Sequence, residues 1–122
     1  MSDPVRYTVT PRYSEAVVFN GVVYLSGQVP DTPEGSSIAW QVASVLAQID
    51  ANLALAGSNK SRILSATVYL KSIEAGYNAL NEAWEKWLPH GCAPARTTIG
   101  GVTLAKAEWD IEITVTAAVG GR

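Results

Sequence analysis

Two strand-like segments near the C-terminus carry the side chains best suited to chemistry on a small charged molecule. In Ala95-Arg96-Thr97-Thr98-Ile99, Arg96 and Thr98 share strand parity, so both side chains can line one pocket. The planar guanidinium of Arg96 can hold a carboxylate through two parallel hydrogen bonds. An ion pair at a surface or interface is the other common use of an arginine in such a strand. The Thr98 hydroxyl can bind ligand or water, or the residue can serve β-propensity alone. Glu112 falls on the polar side of a final alternating segment. A partly desolvated carboxylate there can accept a proton from water, whereas an outward-facing, solvated one has no such role. Ser26 shares strand parity with Tyr24 and Gln28, and Gly27 beside it admits either a ligand close to the backbone or a β-bulge. Tyr13, after Pro11-Arg12, reads as a lid or as an anchored loop aromatic. Asn81 lies at the margin of a helical stripe, where it can satisfy buried polar groups or reach a ligand. His90-Gly91-Cys92 makes a poor nucleophile site, because one residue of spacing does not build the base-nucleophile hydrogen bond and no third group orients it. A single His and a single Cys do not make a zinc ligand set, and no Gly-rich phosphate loop is present. The chain is expected to need no metal and no cofactor.

The elements that must position these residues follow from periodicity. Val17 to Leu25 reads as two β-rich runs joined by Asn20-Gly21, the pair that best tolerates a type I′ turn, so a hairpin is expected. Pro30, Asp31, Pro33 and Gly35 break the strand. Ser36 or Ser37 can then cap a helix whose stripe is Ile38, Val42, Val45, Leu46, Ile49 and Leu53, closed by Gly57. Leu64, Ala66, Val68 and Leu70 alternate with polar residues as a half-buried strand. Ser72 can cap a second helix with Ile73, Tyr77, Leu80, Trp84, Trp87 and Leu88 inward, stopped by Pro89 and Gly91. A strand over Ala95–Ile99 and a long final strand, alternating from Trp109 to Val119, complete the order β-β-α-β-α-β-β, with a short extra strand near Tyr7–Thr10. Right-handed crossovers put both helices on one side of a single sheet. The fold class is therefore α+β, one mixed sheet backed by two helices on one face. The other face mixes Ser, Thr, Tyr and Glu with apolar residues, and so short a chain has no third layer to cover it, so self-assembly is expected.

The 122 residues amount to one domain, 1–122, with one core. A formal net charge of -2 with scattered Lys and Arg argues against nucleic acid as a partner. The lone Cys92, the lack of an apolar leader and the lack of an apolar run of spanning length suggest a cytoplasmic protein with no membrane partner.

Four segments together resemble the sequence blocks of the RidA/YjgF family: Tyr13-Ser14-Glu15-Ala16, Leu25-Ser26-Gly27-Gln28-Val29-Pro30, Ala93-Pro94-Ala95-Arg96-Thr97-Thr98 and Ile111-Glu112-Ile113. They stand in the family's order at nearly its spacing, and the likeness continues through both helices, including Leu80-Asn81-Glu82-Ala83-Trp84. The resemblance implies a fold similar to the small chorismate mutases, a homotrimer, and clefts between subunits that take a small carboxylate or imino acid. It implies hydrolysis of reactive 2-imino acids (2-iminobutanoate, 2-iminopropanoate) to 2-keto acids and ammonia. In those terms Arg96 holds the substrate carboxylate, Glu112 positions water, backbone near Ser26-Gly27 contacts substrate, and Tyr13 closes over the pocket. Thr98 stands where deaminase members commonly have cysteine, and the segment before the first helix is shorter than theirs. Gly57–Leu70, with Trp84 and Trp87, looks closer to a less characterised branch. The competing readings are a non-catalytic trimer that binds small carboxylates as a sensor or scaffold, and a ribonuclease, which the acidic balance opposes.

Overall fold

The computed structural model describes residues 3–31 and 36–120, so Pro33 and Gly35, two of the four residues expected to break the strand, lie outside the described residues. The elements are β1 (Val5–Val9), β2 (Ser14–Phe19), β3 (Val22–Leu25), α1 (Ile38–Leu55), β4 (Ile63–Leu70), α2 (Ile73–Trp87), β5 (Ala95–Ile99) and β6 (Ile111–Ala118). The strands form one mixed sheet in the order β1-β2-β3-β6-β4-β5, antiparallel except for the β4–β5 pair. Asn20 and Gly21 turn the β2–β3 hairpin with φ of 52° and 77°, the two positive values that a type I′ turn requires. Ser37 caps α1 by accepting from the Trp40 N–H, and Ser72 caps α2 by accepting from the Ala75 N–H.

Ala16, Val23, Leu25, Ala66, Val68, Leu70, Ile111, Ile113 and Val115 point to one face, where they form a single core with Val42, Val45, Leu46, Ile49 and Leu53 of α1 and Leu80 and Trp84 of α2. The opposite face carries Tyr24, Thr67, Thr114 and Thr116, and Tyr24 is exposed. The 18 residues of α1 have the length and hydropathy of a short membrane span, contrary to the expectation that no apolar run reaches that length. Its apolar stripe is instead packed against the sheet.

Three expectations need correction. Leu64 is exposed and Ile63 is buried in its place, because β4 carries one extra residue between Ile63 and Ser65 relative to β6. On α2, Ile73 and Tyr77 are exposed, and the inner stripe runs through Gly76, Leu80 and Trp84. Trp109 and Asp110 precede β6 in a turn in which the Trp109 N–H donates to the Lys106 carbonyl.

Candidate functional site

The edge of β3 beyond Leu25 is irregular, and the irregularity builds the site. Tyr24 pairs with Thr116 and Gln28 with Ile113, so four steps on one strand oppose three on the other. The extra residue is a bulge at Ser26-Gly27. It reverses the strand parity expected for Gln28. Gln28 shares the helix-side face with Ile113 and is buried, whereas Tyr24 lies on the open face. The Thr114 hydroxyl donates to the Leu25 carbonyl and the Ser26 hydroxyl donates to the Ser14 carbonyl at 2.6 Å, which pins the bulge from both sides.

Gly27 faces Glu112. A Cβ on residue 27 would lie 2.8 Å from Cδ of Glu112 and closer still to Oε2, so the carboxylate occupies space that only glycine leaves open. Glu112 lines a cavity of about 390 Å³ together with Tyr13, Ser26 and Gly27. Tyr13 is half exposed at its rim, and its backbone is held by Thr10, whose hydroxyl donates to the Tyr13 carbonyl and accepts from the Tyr13 N–H. Four of the residues singled out in the sequence are thus brought together. The same cavity is also lined by six that were not, among them Glu15, Gln28, Gln48 and Trp109. Glu15 sits inside the Tyr-Ser-Glu-Ala block, which was the signal available for it.

Arg96, Thr98 and Asn81 form a second group. Arg96 pairs with Ala66 and Thr98 with Val68, so both side chains share the helix-side face, as their parity predicts. Glu112 pairs with Tyr69 on the opposite face. Within one chain, therefore, Arg96 and Glu112 do not meet. The Arg96 Nη2 donates to Asn81 Oδ1 at 2.8 Å, and its guanidinium carbon lies 5.5 Å from the Trp84 ring centroid, which assigns Asn81 and Trp84 to orienting the cation. Among the described residues, the Thr98 hydroxyl oxygen is buried with no hydrogen-bond partner. An orphaned hydroxyl one strand repeat from a half-buried guanidinium leaves two polar groups able to accept a ligand. Among the described residues, no group of three or more His, Cys, Asp or Glu is placed to hold a metal ion.

Comparison with known proteins shows the family. A family model described as Endoribonuclease L-PSP matches residues 5–119. The chain belongs to the RidA/YjgF family. Its relatives in this family include a RutC family protein of Haemophilus ducreyi, 44% identical over 114 residues, with 93% of this chain and 95% of that protein covered. The RutC family protein YoaB of Escherichia coli is 39% identical over 115 residues, covering 94% and 97%. The crystal structure of a YjgF family member from Neisseria meningitidis superposes with a TM-score of 0.92 at 42% identity, covering 98% of both chains. The RidA/YjgF sheet-and-two-helix architecture expected from the sequence is the one this chain adopts.

Proposed function

We propose that the protein is a cytoplasmic homotrimeric hydrolase of reactive 2-imino acids, in which Arg96 of one copy faces the Glu112 cavity of its neighbour. The observation that supports this most is the division of the candidate residues between the two faces of one sheet. The Glu112 carboxylate, fixed against Gly27, lies on one side. A guanidinium beside an unpartnered hydroxyl lies on the other. Each half lacks what the other has, and packing two copies together joins them.

The reaction asks for little beyond such a site. In RC(=NH2+)COO⁻ + H2O → RCOCOO⁻ + NH4+, water oxygen bonds to C2 and the C=N π electrons move to nitrogen. Glu112 accepts a proton from the attacking water and returns it to the nitrogen. The C–N bond then breaks to release NH3, and as the keto group forms Glu112 takes the hydroxyl proton and passes it to the ammonia, which leaves as NH4+. Arg96 grips the carboxylate and so fixes C2 in front of the water; Thr98 is placed to bond the carboxylate or the water, and Asn81 keeps the guanidinium in line. The bulge at Ser26-Gly27 sets the height of Glu112, and Tyr13 covers the opening. Two carboxylates in the cavity and a net charge of -2 disfavour the polyphosphate backbone that a ribonuclease would hold.

The test follows decay of freshly generated 2-iminobutanoate with and without protein. Faster loss of imine with matching release of 2-oxobutanoate supports the reading. An unchanged decay alongside calorimetric binding of 2-oxobutanoate assigns the protein to the non-catalytic carboxylate binders instead. Light scattering should give three times the 13.0 kDa chain mass.

A further inference from the structure

The cavity on the Glu112 side is built against the charge its substrate class is known for. Its lining includes two carboxylates, Glu15 and Glu112, and among the described residues no Lys, Arg or His. A substrate carboxylate would be repelled there, which is consistent with Arg96 receiving that end from the other face. What a negatively charged, partly desolvated wall favours is a cation.

Glu15 is held in the wall by a dedicated support. Gln28 is 2% exposed, and both its amide nitrogen and its amide oxygen are engaged. Asn52 on α1 donates to Gln28 Oε1 at 3.0 Å, which fixes the amide so that Nε2 donates to the Ser26 carbonyl at 2.8 Å and to Glu15 Oε1 at 3.2 Å. The Gln28 backbone is clamped in turn to Ile113, immediately after Glu112, by bonds of 2.7 and 3.0 Å. One frame therefore positions both carboxylates. A carboxylate offers about four acceptor sites, and Gln28 uses one of those on Glu15.

Accepting the deaminase reading above, on which this step rests, we infer that Glu15 recognises the cationic nitrogen of the substrate. It thereby makes the site select the iminium form over the neutral keto product. Glu112 faces the water and Glu15 faces the NH2+ group, so the two acids have separate tasks. Once hydrolysis replaces that group by a carbonyl oxygen, Glu15 loses its partner and the product is released.

The experiment compares two planar, non-hydrolysing ligands of the same shape: oxamate, and its amidine, in which NH2+ replaces the amide oxygen. Both are titrated calorimetrically into the intact oligomer of wild type and of Glu15→Gln, a substitution that keeps an oxygen to accept from Gln28. Wild type should bind the amidine at least about tenfold more tightly than oxamate, and Glu15→Gln should erase that preference chiefly by weakening the amidine. A preference that persists in Glu15→Gln, or equal affinities in wild type, overturns the role of Glu15 whatever the imine assay gives. A Glu15-dependent preference without accelerated imine decay overturns only the deaminase reading. Failure of both ligands to bind wild type overturns the role of Glu15, and the deaminase reading falls with it only where imine decay is also unaccelerated.

Discussion

Gly27→Ala isolates the positioning of Glu112 from everything else in the site. The φ of Gly27 lies outside the left-handed region, so an alanine adopts the same backbone without strain. The added Cβ meets Cδ of Glu112 at 2.8 Å and Oε2 at less, so the carboxyl group must retreat. The shift needed to restore ordinary contact is about 1 Å, and a misplacement of that size costs on the order of 100-fold in rate, or about 2.7 kcal/mol in the barrier. The assay is the initial rate of 2-iminobutanoate loss, followed by trapping the remaining imine, on variants whose oligomeric mass is unchanged. The same substitution in a Glu112→Ala background should cost less than about threefold, since the displaced group is gone. If Gly27→Ala keeps wild-type activity, or is equally damaging without Glu112, the claim that the bulge sets the carboxylate is wrong.

Arg96→Ala should lower kcat/KM by roughly two to four orders of magnitude, from about 3 to 5 kcal/mol for a desolvated pair that loses one partner, with Arg96→Lys recovering only part; a loss of a few fold would remove the carboxylate anchor. Thr98→Val replaces a buried hydroxyl that has no partner, so urea unfolding should show stability unchanged or raised by up to about 1 kcal/mol while turnover falls; lowered stability with unchanged turnover would make the residue purely structural. Cys92→Ser should leave activity and assembly intact, because the hydrolysis forms no thioester, and inactivation of an intact oligomer would point to a nucleophile.

The elements were legible where local chemistry dictates them. Asn20-Gly21 demands positive φ, Ser37 and Ser72 offer cap oxygens, and Ala95–Ile99 alternates cleanly, so these stand where the sequence puts them. The site was legible as residues more than as geometry. A bulge adds one residue without changing the composition of a strand, so parity fails past it. This is why Gln28 turned to the helix side and why Leu64 turned outward. Parity within a single strand also places Arg96 with Thr98 correctly yet is silent on β6. Only the register across β4 reveals that Glu112 faces the other way. Glu15 escaped notice because its importance comes from Gln28 and Asn52, which are 13 and 37 positions distant in the chain and meet it only through the fold.

In the proposed mechanism one active site is shared between two copies, Arg96 from one and Glu112 from the next. Its most direct test is subunit mixing. Arg96→Ala and Glu112→Gln oligomers, each inactive alone, are unfolded together in equal amounts and refolded, and imine decay is measured. Random assembly pairs an intact Arg96 with an intact Glu112 at about a quarter of the interfaces, so the mixture should recover about a quarter of the wild-type rate. Recovery of nothing, with mixed oligomers confirmed by mass, would contradict the shared site.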